Sequence, residues 1–331
     1  MSKLPPPELD DFIPKDLIVS NPDKKLHHIF TEEDCHALWA AYAAGRPLLV
    51  RGQPGTGKSQ MARAIAEQLG WAFVSEVIRG GTELSDLHWH FDAIGRLGEA
   101  QAMANQDYEK VKAMLDPLRF LSPGAFWWAY DWQTAEKQYT ACATRLRPKP
   151  VGDAQSGGVV LLLDEMDKAE PDLPNGLLET LGNYQFTVPY IHEQTITSKI
   201  SNPVTADPAR LLVIITTNEE RELPSAFVRR CFVHTLKMED SVELVEGTEK
   251  RQSWLIERGK LHFGAKIAAP VYQLAAELLW IDRATAFQQR YPPGLAEYID
   301  LLTALQTLSH AQQQQRLHKI ANYALQKAGD A

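Results

Sequence analysis

Gly52-Gln53-Pro54-Gly55-Thr56-Gly57-Lys58-Ser59 is the stretch that decides the fold. It fits the spacing G-x-x-x-x-G-K-[ST], in which glycines let the backbone curl until its N–H groups point inward. Those donors, with the positive end of the helix that follows, make a cradle for phosphate oxygens. Lys58 is placed to reach β- and γ-phosphates, and the Ser59 hydroxyl to hold Mg2+. The flanks agree. Pro47-Leu48-Leu49-Val50 is an apolar run that predicts a buried strand, and residues 58–69 predict a helix stopped by Gly70.

Outward from the loop, strands and helices alternate. Thr31-Glu32-Glu33-Asp34 predicts a helix start, with Thr31 as the cap and a carboxylate three residues on, and Gly45 stops that helix. Residues 72–77 predict a second strand. Residues 159–163 (VVLLL) and 211–217 (LLVIITT) are continuous apolar runs, the pattern of strands buried on both faces. A helix near 175–181 and a hairpin near 184–200 lie between them. The alternation predicts an α/β fold with a mainly parallel sheet. Residues 82–150 read as an insertion, with helices over 85–102 and 108–115 and then an aromatic segment over 126–132. Beyond residue 236 the pattern is helical, near 241–258, 268–282, 294–308 and 310–327, with Leu317, Ile320 and Ala324 on one stripe.

The chemistry sits at strand ends. Asp164-Glu165 follows five aliphatic residues, and carboxylates at the C-terminal edge of a parallel strand face the ligand crevice. Asp164 would hold Mg2+ and Glu165 would polarise the water that attacks a γ-phosphate. The adjacent Glu favours a hydrolase over a small-molecule kinase, which has no water to activate. Asn218 ends the next apolar strand and has two readings, a residue that positions the attacking water or a turn residue. Arg229-Arg230 also has two, a charge stabiliser for the transferring phosphoryl group or a surface ion pair.

Composition narrows the classes. A chain of 331 residues suggests about two domains. The net charge, 34 − 42 = −8, argues against broad nucleic-acid binding. Cys35, Cys142 and Cys231 have no CxxC spacing, so neither a disulfide framework nor a structural zinc site is expected, and the reading is a reducing compartment. The Pro-rich, acidic start has no apolar core segment and no run approaches a membrane span, so the expectation is a cytoplasmic protein with no membrane partner. His88 and His90 stand two apart, a spacing that separates them on a helix and argues against a metal pair. Trp127, Trp128, Tyr130 and Trp132 read as packing or an interface rather than a base-stacking platform. The run Gln312, Gln313, Gln314, Gln315 reads as a solvated helix face.

Taken together, the chain resembles the AAA+ ATPases, in particular their MoxR-like branch, over roughly residues 30–310. GQPGTGKS looks like Walker A, VVLLLDEMDKA like Walker B, and LLVIITTNEERELPSAFVRRC like sensor 1 with the arginine-finger segment. TELSDLHWHFDAIGRL and PNGLLETLGNYQFTVP are also similar to that branch. The resemblance implies a P-loop NTPase αβα sandwich with a parallel sheet and a C-terminal all-α lid. On that scheme residues 1–30 are an arm, 31–235 the nucleotide-binding core with insertions at about 82–150 and 184–208, and 236–331 the lid. It implies an ATP site made by Gly52, Gln53, Pro54, Gly55, Thr56, Gly57, Lys58, Ser59, Gln60 and Asp164. Ser59 and Asp164 would hold Mg2+. Lys58, Glu165, Asn218 and Arg230, with Arg229 as the near alternative, would be catalytic. It further implies ATP hydrolysis in a ring, usually a hexamer, that remodels, matures or activates a partner protein, often one with a von Willebrand A domain. Rival readings are a nucleic-acid-directed motor or restriction-complex subunit, and an ATP-driven assembly switch.

Two departures stand out. Lys58 to Asp164 spans 106 positions, long for a minimal core and similar to the helix-2 insertion of that branch, enlarged by the tryptophan-rich segment. Ala296 occupies the position of the sensor-2 arginine, so either Arg283 or Arg290 substitutes or the lid senses nucleotide weakly.

Overall fold

The computed structural model describes residues 5–103, 107–153, 157–191, 202–238, 247–286 and 293–325. From the N-terminus come strands β1 (Ile18–Asn21) and β2 (Leu26–Ile29), helix α1 (Glu32–Ala43), strand β3 (Leu48–Arg51), helix α2 (Lys58–Leu69) and strand β4 (Ala72–Val77). The insertion holds α3 (Leu84–His88), β5 (Trp89–Phe91), α4 (Ala93–Ala102), α5 (Tyr108–Met114), β6 (Leu121–Pro123), α6 (Ala125–Tyr130) and α7 (Trp132–Ala141). Then follow β7 (Val159–Asp164), α8 (Asp172–Asn183), β8 (Gln185–Phe186), β9 (Val204–Thr205), β10 (Leu211–Thr217), α9 (Ser225–Val228) and β11 (Phe232–Thr235). Four helices end the chain: α10 (Gly247–Phe263), α11 (Ala269–Ala286), α12 (Leu295–Leu305) and α13 (His310–Ala324). The contacts divide the chain into two units.

The first unit comprises Met1–Ile13, Glu32–Val50 and Ile65–His234. Its sheet has the order β11-β3-β10-β7-β4, and β7 pairs in parallel with both β10 and β4. All of β10 is buried, which explains why its sequence is apolar without alternation. Val159, Leu161, Leu163, Val213 and Ile215 pack into one core with the aromatic residues of α6. Their neighbours Val160, Leu162, Leu212 and Ile214 are buried as well, with α1 against β10. Helices thus cover the sheet, and the expected α/β core with an all-α C-terminal region is the observed architecture.

The insertion differs from its expected form. The helix read over 85–102 is broken into α3, β5 and α4. His88 is drawn into the core, stacked on Phe186 at 4.4 Å and bonded through Nε2 to Thr180 Oγ1 at 2.9 Å. Trp89, His90 and Phe91 then run as a strand antiparallel to β6. Aromatic residues suit a pleated, half-buried surface, and the Asp92 carboxylate accepts the Gly95 N–H at 2.8 Å to cap α4 afresh. Burial lowers the His88 pKa to about 4, so it is a neutral core residue. Trp127, Trp128, Tyr130 and Trp132 are all buried, Trp127 donating to Thr134 Oγ1 and Tyr130 to Thr180 O. Packing is therefore their role, and their faces are closed to stacked bases. The hairpin expected near 184–200 forms between β8 and the later β9, and residues 192–201 lie outside the described residues.

The second unit comprises Pro14–Thr31, Arg51–Ala64 and Thr235–Ala331. It holds the β1–β2 hairpin, formed by residues read as an arm, the glycine loop, and the four C-terminal helices. Leu255, Tyr272, Leu279, Tyr298, Leu301 and Leu317 make its core. A Cβ at Gly259 would stand 2.9 Å from Leu302 and 3.0 Å from Tyr272 and Tyr298, so glycine there sets how closely α10 approaches α11 and α12. Leu317, Ile320 and Ala324 face this core as expected. Gln313 departs from the expected solvated face. It is fully buried, its Oε1 accepting from Ala268 N and its Nε2 donating to Lys266 O, because the start of α11 leaves backbone groups that need partners. Among the described residues no helix is long and apolar enough to cross a membrane.

Candidate functional site

The glycine loop follows β3 directly. Gly52 (φ +150°), Gly55 (φ +76°) and Gly57 (φ +95°) all adopt backbone angles that side chains disfavour. A Cβ on Gly52 would stand 2.6 Å from the Leu236 carbonyl oxygen, and one on Gly55 3.1 Å from the Ala296 methyl. Pro54 and Thr56 lie between these glycines, and Thr56 Oγ1 donates to Gln53 O at 2.9 Å. Lys58 is buried, and its Nζ donates to Gly52 O at 2.7 Å and Gln53 O at 2.9 Å. The ammonium is thus kept inside the loop by the loop's own carbonyls. Ser59 stands in the first turn of α2, and Gln60 beside it has a buried Oε1 without a hydrogen bond among the described residues.

The same unit brings Arg283 to the loop. This buried guanidinium donates through Nη2 to Gln53 Oε1 at 2.6 Å and through Nη1 to Pro293 O at 2.8 Å. Of the two candidates for the missing sensor-2 arginine, Arg283 therefore meets the loop through Gln53, whereas Arg290 lies outside the described residues.

The acidic strand end belongs to the first unit. Ile215 pairs with Leu163, so Thr216 comes beside Asp164. The buried Thr216 hydroxyl donates to Asp164 Oδ1 and accepts the Glu165 N–H at 3.0 Å. Glu165 itself is left-handed, at φ 61° and ψ 47°, a conformation that costs a non-glycine residue about 1–2 kcal/mol. Asp167, 1% exposed, accepts the Asn218 N–H on Oδ1 and the Glu220 N–H on Oδ2, both at 3.2 Å. An ion pair between Lys168 and Glu220 closes the turn. Asp164, Glu165 and Asn218 are therefore brought together at adjacent strand ends. Arg229 and Arg230 are exposed at the end of α9. Cys231 is half-buried against the core, as a small apolar residue would be.

Thr216 and Asp167 are the residues bonded to the acidic strand end and to the Asn218 turn that sequence reasoning passed over. The parallel register could have found Thr216, since aligning the two apolar runs places it opposite Asp164. Asp167 had no local signal, because its partners lie 51 and 53 positions away.

The residues fit a magnesium nucleotide. A Cβ at Gly52 or Gly55 would crowd the loop, which carries a buried cation, and the Ser59 hydroxyl of the second unit and the Asp164 carboxylate of the first are each the kind of hard oxygen donor that Mg2+ prefers.

A family model described as "AAA domain (dynein-related subfamily)" matches residues 47–231, more than half of the chain. No curated protein matches. Among matching solved structures is one of a protein from Cytophaga hutchinsonii ATCC 33406 described as a candidate ATPase. It is 13% identical, with 88% of this chain and 80% of that one covered and a TM-score of 0.37, a likeness too loose to carry fold or function.

Proposed function

We propose that this chain, which belongs to the dynein-related subfamily of the AAA domain family, hydrolyses ATP as a ring and uses the cycle to remodel a partner protein. Lys58 and the inward amides of residues 52–60 bind the phosphates, exchanging the loop carbonyls that now hold the ammonium. Ser59 and Asp164 would hold Mg2+, which when bound neutralises charge on the β- and γ-phosphates. Glu165 takes a proton from the attacking water and Asn218 orients that water. Arg230, with Arg229 as alternative, reaches the nucleotide of a neighbouring protomer, where a cation stabilises the transferring phosphoryl group. The MoxR-like motifs extend this reading to maturation or activation of a partner, possession of a von Willebrand A domain being the expected mark of that partner.

The observation that carries the proposal is the pair of hydrogen bonds by which the Thr216 hydroxyl holds the Asp164 carboxylate and the backbone N–H of Glu165, tying the two adjacent acidic residues to the neighbouring strand. Burial of the tryptophan cluster removes the base-stacking platform on which a nucleic-acid reading would draw. Glu165→Gln tests it. ATP should still bind while turnover drops by on the order of 100-fold or more; retained turnover would remove Glu165 as the base.

A further inference from the structure

Arg46 stands in the turn between α1 and β3, and its backbone is pinned on three sides. The Arg46 N–H donates to Ala41 O at 2.9 Å, Phe232 N donates to Pro47 O at 2.9 Å, and the Tyr184 hydroxyl donates to the carbonyl of Gly45. From this fixed base the guanidinium forks onto the C-terminal end of α9. Nε donates to Arg230 O at 3.0 Å and Nη2 donates to Arg229 O, while the guanidinium carbon lies 5.6 Å from the centroid of the Phe232 ring. The last carbonyls of a helix have no partners within it, so a planar, two-pronged donor is well matched to them. Arg46, Arg230, Tyr184 and Phe227 line one cavity of about 210 Å3, so Arg230 has space on one side and this fork on the other.

We propose that Arg46 is a positioning residue for the arginine pair: by holding the carbonyls of Arg229 and Arg230 it fixes the direction in which Arg230 leaves the surface, and so completes the neighbouring protomer's site. The inference rests on the arginine-finger reading given above. Arg229 and Arg230 have exposed side chains, and an exposed side chain on a four-residue helix has little else to aim it. Without the fork the backbone of the pair loses two charge-assisted bonds. A displacement of about 1 Å at such a group can cost on the order of 100-fold in rate. Lysine keeps the charge but offers a point donor in place of the fork, so it should recover part of the effect.

The experiment compares Arg46→Ala, Arg46→Lys, Arg230→Ala and Arg229→Ala in the full chain. Turnover, ATP affinity and thermal unfolding are measured for each. Arg46→Ala should lower turnover by about 10- to 100-fold with ATP affinity and melting unchanged, and Arg46→Lys should fall between it and the parent. Adding Arg46→Ala to Arg230→Ala should lower turnover no further, because both remove the same group from the same place. Mixing Arg46→Ala protomers with Lys58→Ala protomers should restore turnover, since the second supplies an intact finger to the first's intact nucleotide site. Parent-like turnover in Arg46→Ala, or restoration by mixing for Arg230→Ala but not for Arg46→Ala, would overturn the proposal. If neither Arg229→Ala nor Arg230→Ala changes turnover, the finger reading itself has failed and this inference falls with it.

Discussion

The acidic strand end and the glycine loop reach their geometry in opposite ways. At the strand end, each group is held by a side chain distant in sequence: Thr216 braces Asp164 and Glu165, and Asp167 braces the Asn218 turn. In the loop, Lys58 and Thr56 are held by carbonyls three to six residues away. At the strand end these polar groups already have partners within their own unit. In the loop the ammonium is held by the loop's own carbonyls and Gln53 also takes a bond from Arg283, so on the proposed reading the ammonium changes partners to take a phosphate.

The contrast can be broken from the loop side first. Gly52→Ala forces a Cβ to 2.6 Å from the Leu236 carbonyl at a backbone angle closed to alanine. ATP affinity should drop by on the order of 100-fold, since strain of this kind costs about 1–3 kcal/mol before the clash is counted. Titration with a fluorescent nucleotide reads it, and parent-like affinity would mean that the loop relaxes freely. Thr216→Val comes next. It preserves shape but removes the donor to Asp164 and the acceptor for Glu165, so turnover should fall about 10- to 30-fold with nucleotide affinity little changed. If affinity falls and turnover per bound nucleotide does not, Thr216 serves binding rather than turnover.

A smaller effect is expected at Asp167. Asp167→Asn leaves an amide N–H facing a backbone N–H, and turnover should decrease about fivefold together with a measurable drop in melting temperature. An unchanged melt would show that the Asn218 turn is held by other groups. The smallest effect treats the two units alike. Burial holds His88 in the first unit, and burial with the His27 charge holds His262 in the second, at pKa values of about 4. Both lie below the ordinary value near 6.5, so the unfolded chain binds more protons than the folded one in that window. Stability should be full above pH 6.5 and decline as pH falls towards 4, by a few degrees of melting temperature. A flat profile there would contradict the burial of both rings.

The same contrast explains what could be read in advance. The loop was legible because its eight residues are adjacent, and the strands β7 and β10 because burial on both faces writes itself as unbroken aliphatic sequence. The pairing of Asp167 with the Asn218 turn is a property of strand order, which no local pattern encodes. Gln313 misled for a related reason: a glutamine run looks solvated, and only the packing of α11 beside it makes one of its members a buried connector. Likewise, nothing within residues 85–102 announces that His88 will be captured by Phe186, nearly a hundred positions on.

The left-handed torsion of Glu165 has an implication for how this position can drift. Glycine would adopt φ 61° without penalty, so the chain would be more stable with no side chain there at all. A carboxylate stands at that point against the backbone's own preference. On the proposal that Glu165 activates water, lineages that lose the need to turn over nucleotide should shed this residue early and gain robustness by doing so, which would make position 165 a sensitive marker of that loss.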